Sequence, residues 1–484
     1  MQSVDTVKSV DAVQPGQWEA SAEPRRSLRG RRGMREWRDR HNRHSAGSRR
    51  ARAVGLAVAL ASGLCVPLAA AGPAAAATGS LPANTAFYVN PNSNVEQWIA
   101  ANPGDSREPT IASKIASQPQ ASWFTTYNPS TIASQVSAIA APAAAAGKVP
   151  ILVMYEIPNR DCGGASAGGA PSIADYESWA ADFASGLGSA TAVVLVEPDS
   201  LALQTCLSSS DASARDAAIA YAGHVLRADD PNAHVYFDGG HSDWNPASQQ
   251  AAALEAADVT TDANGVFTDV SNFEWTNDEL WYGQQILQDI GDSALHLVID
   301  TSRNGAGPGN TWCDPSGRAL GLTPTANTGY SYVDAFLWVK PPGESDGCAD
   351  AAGTFDPALA YALATNPPAG TPSCAVTYAV QSSWTGGLTV NVTVANTGKS
   401  NLGGWTVTWT FPGDEVITNL WEGYYTQTGE TVSAHDYFGT NQTIAPGSSA
   451  SFGFQGTWTS SDASPTSFSM IANNGGSSVA CTVG

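Results

Sequence analysis

The stretch VVLVEPDS, Val193 to Ser200, runs an apolar segment straight into two carboxylates, Glu197 and Asp199, separated by Pro198. A continuous apolar run with no polar alternation suits a strand covered on both faces, as in a parallel sheet flanked by helices. The carboxyl end of such a strand is where α/β proteins place their chemistry. Two acids at that point therefore raise a question of function.

Working outward, strand-like and helix-like runs alternate from Val149 to about Leu363. VPILVMYEI, TAVVLVEPD, AHVYFDGG, LHLVIDTS and DAFLWVKPP read as strands, and YESWAADFASGL, SARDAAIAYAGHVLRA, PASQQAAALEAADV and DELWYGQQILQDI as helices. This alternation predicts a parallel sheet with helical crossovers, and the span of residues 80–365 suits one α/β barrel. At NPPAGTPS, residues 366–373, the grammar changes. Over 374–484, short alternating strands such as LTVNVTVANTG, GWTVTWTFPG and SASFGFQGTW predict an all-β sandwich. So short a joint places the two domains close together.

Residues 1–77 read as a targeting segment: an arginine-rich start, then AVGLAVALASGLCVPLAAAGPAAAA, an apolar stretch ending in small residues, with cleavage expected near Ala77. Arg49 and Arg50 leave Sec and Tat export both open, Met34 begins a more ordinary signal peptide, and Cys65 is badly placed for lipid attachment. The segment holds 13 of the 23 basic and 6 of the 44 acidic residues, so the remainder carries a net charge of −28. Such a body is repelled by phosphate backbones and anionic lipid, which argues against nucleic-acid and membrane partners. The expectation is a secreted, extracellular monomer with a neutral or cationic partner. Beyond residue 77 there are six cysteines, an even count that suits disulfides in an exported chain, with 15 pairings open. No C-x-x-C or H-E-x-x-H occurs, and His224, His234, His241 and His296 are scattered, so no metal site and no cofactor are expected.

The strand ends repeat the opening pattern. Tyr155 and Asp161 follow ILVM, Asp199 ends VVLVEPD, Asp238 ends VYFD, Asp300 ends LVID, and Asp346 lies just past FLWVK in PPGESDG. These acids converge on one rim of a barrel, the face whose loops host active sites. Arg160, Arg303 and Lys340 can neutralise some of the group but not all of it. Crowded carboxylates raise one another's pKa, so one can hold a proton near neutrality and donate it. Glycosidic cleavage with inversion needs such an acid and a second carboxylate that activates water, about 6.5–9.5 Å away. Sugar faces dock on aromatic rings, for which Trp123, Trp244, Trp275 and Trp312 are candidates.

FYVNP, ILVMYEIPNRDC, VEPDS, YFDGGHSDW, VIDTSRNG, WCDPSGRA and FLWVKPPGESDG, in that order, resemble glycoside hydrolase family 6, the inverting β-1,4-glucanases. The resemblance implies a distorted α/β barrel with its substrate cleft over the strand carboxyl ends. It makes Asp199 the general acid, Asp161 the residue that raises its pKa and helps organise the water, and Tyr155 the group that crowds the sugar at the cleavage subsite. Asp346 is the candidate base, with Lys340 and Glu344 binding sugar beside it, while Trp123, Asp238, His241, Trp244 and Trp312 fall on subsite positions. Glu197 becomes a structural partner held by the Pro-Asp turn. The family pattern pairs Cys162 with Cys206 and Cys313 with Cys348, each bridge pinning a loop that carries an aspartate. Only about fifteen residues separate WCDPSGRA from FLWVK, so the cleft is expected to stay open and the action on cellulose and related β-1,4-glucans to be endo.

The β domain resembles carbohydrate-binding module family 2, with an early Cys374, a terminal Cys481 expected to pair with it, and GGWTVTWTFPG between. Trp384 and Trp421 match two positions of the exposed aromatic row that docks on cellulose. Thr440 stands where a third aromatic is expected, with Tyr437 and Phe438 nearby, and Trp405 is expected in the core. The rival readings are an exo-acting cellobiohydrolase of the same family, a non-catalytic polysaccharide-binding protein, and a metal-dependent aldolase-type barrel, for which the sequence offers no ligand cluster.

Overall fold

Seven short strands pair side by side in chain order, every one parallel to the next: β1 (Ser122–Phe124), β2 (Ile151–Met154), β3 (Ala192–Val196), β4 (Ala233–Asp238), β5 (Gly265–Thr268), β6 (His296–Asp300) and β7 (Val333–Leu337). The structure is a computed structural model that describes residues 81–484, and the targeting segment expected over residues 1–77 lies outside them. The sheet curls until its two edges meet. There Ala121 N–H, just ahead of β1, donates to Trp338 O, just past β7, at 2.9 Å. No ladder joins β1 to β7 among the described residues, so the barrel is a distorted one, closed by a contact.

Strand periodicity divides the apolar residues between two cores. Val153, Val193, Leu195, Tyr236, Phe267, Val298, Ala335 and Leu337 fill the barrel interior. Their neighbours Leu152, Met154, Val194, Val196, Val235, Phe237, Leu297, Ile299 and Phe336 face the surrounding helices. Both faces are covered, which is why these strands carry no polar alternation. The helices Ile173–Leu187 and Ser209–Asp229 begin at serine caps: Ser172 accepts from Asp175 N–H, and Ser208 from Asp211 N–H. The helix expected over PASQQAAALEAADV stops earlier, at Ala256, because Asp258 turns left-handed (φ 54°) before a separate turn over Val259–Asp262. Among the described residues no helix is long and apolar enough to cross a membrane.

From Cys374 the chain is all strand. Cys374–Trp384 pairs antiparallel with Gly387–Asn396, which pairs with Ser449–Thr457 and, beyond it, Val416–Trp421. On its other side Val479–Val483 runs parallel to Cys374–Trp384 and leads through Phe468–Ile471 to Thr406–Thr410. The two halves fold over a core in which Trp405, Trp409, Phe452, Phe454 and Phe468 pack ring against ring. The disulfide Cys374–Cys481 fastens the first strand to the last.

The two domains are in direct contact, and the segment 366–373 takes part. Ala369 N–H donates to Gly305 O of the barrel, and Gly370 O accepts from Asn473 of the β domain. Trp275, a sugar-docking candidate from sequence, is instead 1% exposed in this contact. Its indole lies so close over Gly403 that a Cβ there would stand 2.1 Å from the ring, and its Nε1 donates to Thr443 Oγ1 at 3.2 Å. Trp281 stacks on His435 at 4.8 Å, and Tyr282 meets Phe438 edge-on.

Candidate active site

A cleft of about 710 Å³ opens over the carboxyl ends of the strands. Asp199, Asp161, Asp346, Tyr155, Trp123, Trp312, Lys340 and Glu344 all line it. Asp199 stands on the turn that follows β3, in the left-handed conformation (φ 68°), as do Glu197 (φ 55°) and, in the next loop, Asp161 (φ 56°) and Cys162 (φ 48°). L-residues adopt that conformation at a cost, and clustered outliers of this kind mark functional sites. Glu197 is fully buried, and its two oxygens accept N–H bonds from Glu156 and Ile157, tying the end of β3 to the end of β2. That tie turns Glu197 inward and leaves Asp199, two residues on, partly open to the cleft.

Burial pushes the Asp199 carboxyl up to about 8, helped by the charges of Asp238 and then Asp161. It thus holds its proton at neutrality. Tyr155 Oη stands 3.4 Å from Asp199 Oδ2 and 2.8 Å from Ser166 Oγ. Ser166 in turn donates its N–H and its hydroxyl to Asp161 Oδ2, at 2.8 and 3.0 Å. A chain of polar contacts therefore runs from Asp161 through Ser166 and Tyr155 to Asp199. Arg160 lies over the Tyr155 ring, 4.5 Å from its centroid, and donates to the Tyr155 carbonyl, fixing the ring from below.

Asp346 is held differently. Arg303 donates to its Oδ1 and Oδ2 at 2.9 and 3.0 Å, Lys340 Nζ lies 3.5 Å from Oδ1, and Asp314 N–H donates to Oδ2 at 3.0 Å. Asp314 also accepts N–H bonds from Asp346, Cys348 and Ala349, so one carboxylate shapes the whole loop. Glu344 accepts from Asn94 at 2.8 Å, and burial raises its pKa. The Trp123 indole donates to Val339 O at 2.7 Å and meets Tyr155 edge-on at 5.3 Å, whereas Trp312 is 57% exposed at the mouth.

The disulfides Cys162–Cys206 and Cys313–Cys348 close on the loops that carry Asp161 and Asp346. Oxidation therefore fixes the positions of both aspartates.

Three expected sugar contacts do not line this cleft. Asp238 is 2% exposed; its oxygens accept N–H bonds from Leu201, Ala202 and Gly240, which moulds the turn after Asp199. Its charge reaches the cleft only through Asp199. His241 is pushed down to about 4 by burial and so stays neutral, and its ring packs against Trp244 at 5.4 Å. The sequence places Asp238 there as a strand end and by the family resemblance, and His241 and Trp244 by the resemblance; in the structure all three sit at and just past the end of β4.

Sequence reasoning missed Ser166 and Asp314. The signal for Ser166 was present: a glycine-rich loop, GGASAGGA, directly after the rim acid Asp161. Asp314 had none, because it works on a loop some thirty positions later. Among the described residues one grouping, Asp278, His435 and Asp436, brings ligand atoms close enough to hold a metal ion, and it lies in the domain contact, away from the cleft.

In the β domain Trp384 and Trp421 are 51% and 40% exposed, and Trp405 is buried. Trp421 pairs across the sheet with Gly453 and Trp384 with Gly387. A Cβ at either glycine would stand 2.4–2.5 Å from the indole, so each ring lies flat on the sheet because its partner has no side chain. Tyr437 is exposed beside Tyr424, but Phe438 is turned into the domain contact.

A family model described as "Glycosyl hydrolases family 6" matches residues 82–379, and one described as "Cellulose binding domain" matches residues 374–476. The chain is 43% identical over 447 residues to Endoglucanase A of Thermobispora bispora, covering 85% of this chain and 96% of that protein. It is 46% identical over 295 residues to Endoglucanase 1 of a Streptomyces species, strain KSM-9, covering 60% of this chain and 81% of that one. Among solved structures, the endoglucanase Cel6 from Mycobacterium tuberculosis, in complex with a thio-linked cellobioside ligand, is 41% identical with a TM-score of 0.55, covering 59% of this chain and 98% of that one.

Proposed function

The chain belongs to the glycosyl hydrolases family 6 and carries a cellulose binding domain, and from that premise we propose that it is a secreted inverting endo-β-1,4-glucanase whose proton donor is Asp199. The observation that carries this reading is the Asp199 carboxyl in the cleft, 3.4 Å from the Tyr155 hydroxyl and with no cation bonded to it, where burial and neighbouring acids push its pKa up to about 8. A general acid must be protonated when substrate binds, and it works best with a pKa near the working pH.

In this reading Asp199 gives its proton to the leaving glycosidic oxygen while water attacks the far side of the sugar ring. The Asp161–Ser166 pair orients that water, and the negative charge of Asp161 helps keep the proton on Asp199. Tyr155, wedged between Trp123 and Asp199, crowds the ring at the cleavage position and favours its distortion. Asp346 is the charge on which the water's proton is finally balanced. Because Arg303, Lys340 and Asp314 already engage both of its oxygens, that proton travels through an intervening water rather than by direct contact. Trp123, Trp312, Lys340 and Glu344 bind the flanking sugars, and the flat indoles of Trp384 and Trp421 hold the protein to the cellulose surface.

The reading is tested by following viscosity loss against reducing-end release on carboxymethyl cellulose, with the anomer of the first product read by NMR. A steep viscosity drop per bond cut, with an α-anomer released, is the expected result. A slow drop identifies exo action, and a β-anomer removes the inverting mechanism. Replacing Trp384 and Trp421 together with alanine is expected to lower adsorption to insoluble cellulose about tenfold and leave soluble-substrate turnover unchanged.

A further inference from the structure

The helix Thr276–Ile290 opens with three polar residues, Asn277, Asp278 and Glu279, that are buried, two of them completely, beneath the β domain. Acids at a helix start are ordinary, but they are normally exposed or partnered. Asp278 is fully buried, and the groups it meets are an imidazole and a second acid. It faces His435 and Asp436, which come from the end of the strand Thr431–His435, and all three residues are fully buried.

Each of the three presents an atom to the same point. His435 is held by a 2.8 Å contact from Nδ1 to Thr406 Oγ1 and by the indole of Trp281 stacked on its ring, which aims Nε2 at Asp278. Asp436 uses Oδ2 to accept the Trp405 N–H at 2.7 Å and keeps Oδ1 free. Asp278 Oδ1 and Oδ2, His435 Nε2 and Asp436 Oδ1 are all buried without a hydrogen-bond partner. Nine-tenths or more of buried polar groups in proteins are satisfied, whereas these four atoms meet only one another, two carboxylates and one imidazole in a dry contact, which a cation would balance. Nε2 lies 3.2 Å from Asp278 Oδ1 and 3.8 Å from Asp436 Oδ1, and the ligand atoms of the three residues all fall within 4.8 Å of one another. The edge of a tetrahedron with arms of about 2.0 Å is about 3.3 Å, so the set needs little adjustment to close on a zinc-sized ion. The Thr406 contact fixes the ring through its other nitrogen, the arrangement usual for an imidazole that binds a metal. The chemistry of one imidazole and two carboxylates suits zinc better than calcium, which takes six to eight oxygens.

We propose that Asp278 of the barrel and His435 and Asp436 of the β domain form a zinc site that fastens the two domains together. The expectation from local spacing was that there is no metal site; these ligands come from two domains and have no such spacing. A water or the second Asp278 oxygen completes the coordination.

The test uses the full mature chain, stripped with dipicolinate and equilibrated with buffered micromolar zinc, with metal content read by mass spectrometry. About one zinc per chain is expected, falling below about 0.2 in His435→Gln and Asp436→Asn, with the variants' hydrolysis of soluble substrate and adsorption to cellulose reporting that both domains are folded. Zinc is also expected to raise the Tm of the stripped wild type by several degrees. Wild type that takes up less than about 0.1 zinc and shows no Tm change overturns the proposal, and the facing carboxyls of Asp278 and Asp436 then share a proton instead. Uptake of calcium but not zinc overturns it equally. Should the variants not fold, the zinc titration of the wild type decides by itself.

Discussion

Two aspartates on one rim of one sheet live under opposite electrostatics. Asp199, past β3, has acids and a phenol for neighbours, and no guanidinium or ammonium bonds to it. Asp346, past β7, rests in the fork of Arg303 beside Lys340, with a backbone N–H completing its shell. The residue type is the same, and both line one cleft. What differs is the company: at Asp199 burial, reinforced by Asp238 and Asp161, pushes the carboxyl up, whereas Asp346 is bonded by a guanidinium and flanked by an ammonium.

The comparison can be broken most decisively at Asp199. Asp199→Asn keeps the shape and removes the acidic proton, so kcat on soluble substrate is expected to fall by about 10³ or more, with adsorption unchanged. Activity within a few-fold of wild type would falsify the assignment. Next is the other half of the pair. Arg303→Met leaves the buried Asp346 charge with only Lys340, and a loss of about 3–5 kcal/mol in urea unfolding is expected, together with a drop in kcat. Unchanged stability would mean that the guanidinium fork contributes nothing.

A third measurement compares wild type with Asp199→Asn across pH. The ordinary carboxyl value of 3.8 rises to about 8 in the folded protein. Between these limits the unfolded chain gives up its proton while the folded chain retains it, so wild-type stability falls as pH rises from about 4 to about 8. Asparagine lacks that slope. The variant is expected to be about as stable near pH 4 and more stable by about 5 kcal/mol at pH 8, and parallel curves would show that Asp199 ionises freely. The smallest effect is at Asp238. Removing its charge in Asp238→Asn lets Asp199 ionise earlier, so the alkaline limb of the rate profile is expected to move about one unit toward acid. An unmoved limb would leave burial as the whole cause.

The parts of this arrangement that were legible in the sequence are those carried by local pattern. Apolar runs such as VVLV ending in acid gave the strands and the rim, and the ordered motifs from FYVNP to FLWVKPPGESDG carried the family. What stayed hidden depends on residues far apart. Asp238 ends a strand like Asp199, and only the turn geometry shows its carboxylate spent on three backbone N–H groups. Trp275 reads as readily as Trp123 for a sugar platform, yet its partner is Gly403, in another domain. Glycines 387 and 453 carry no signal until the strand register sets them under the indoles.

The tying down of residues 366–373 has a consequence for how such a protein would work on a solid. A catalytic body on a long leash can search a disc of surface from each landing, whereas here the anchor and the cutting edge are packed directly against each other. Every landing would then present a single footprint, so further cuts would require the whole molecule to slide or lift off, and lateral mobility of the anchor would limit the yield of each encounter.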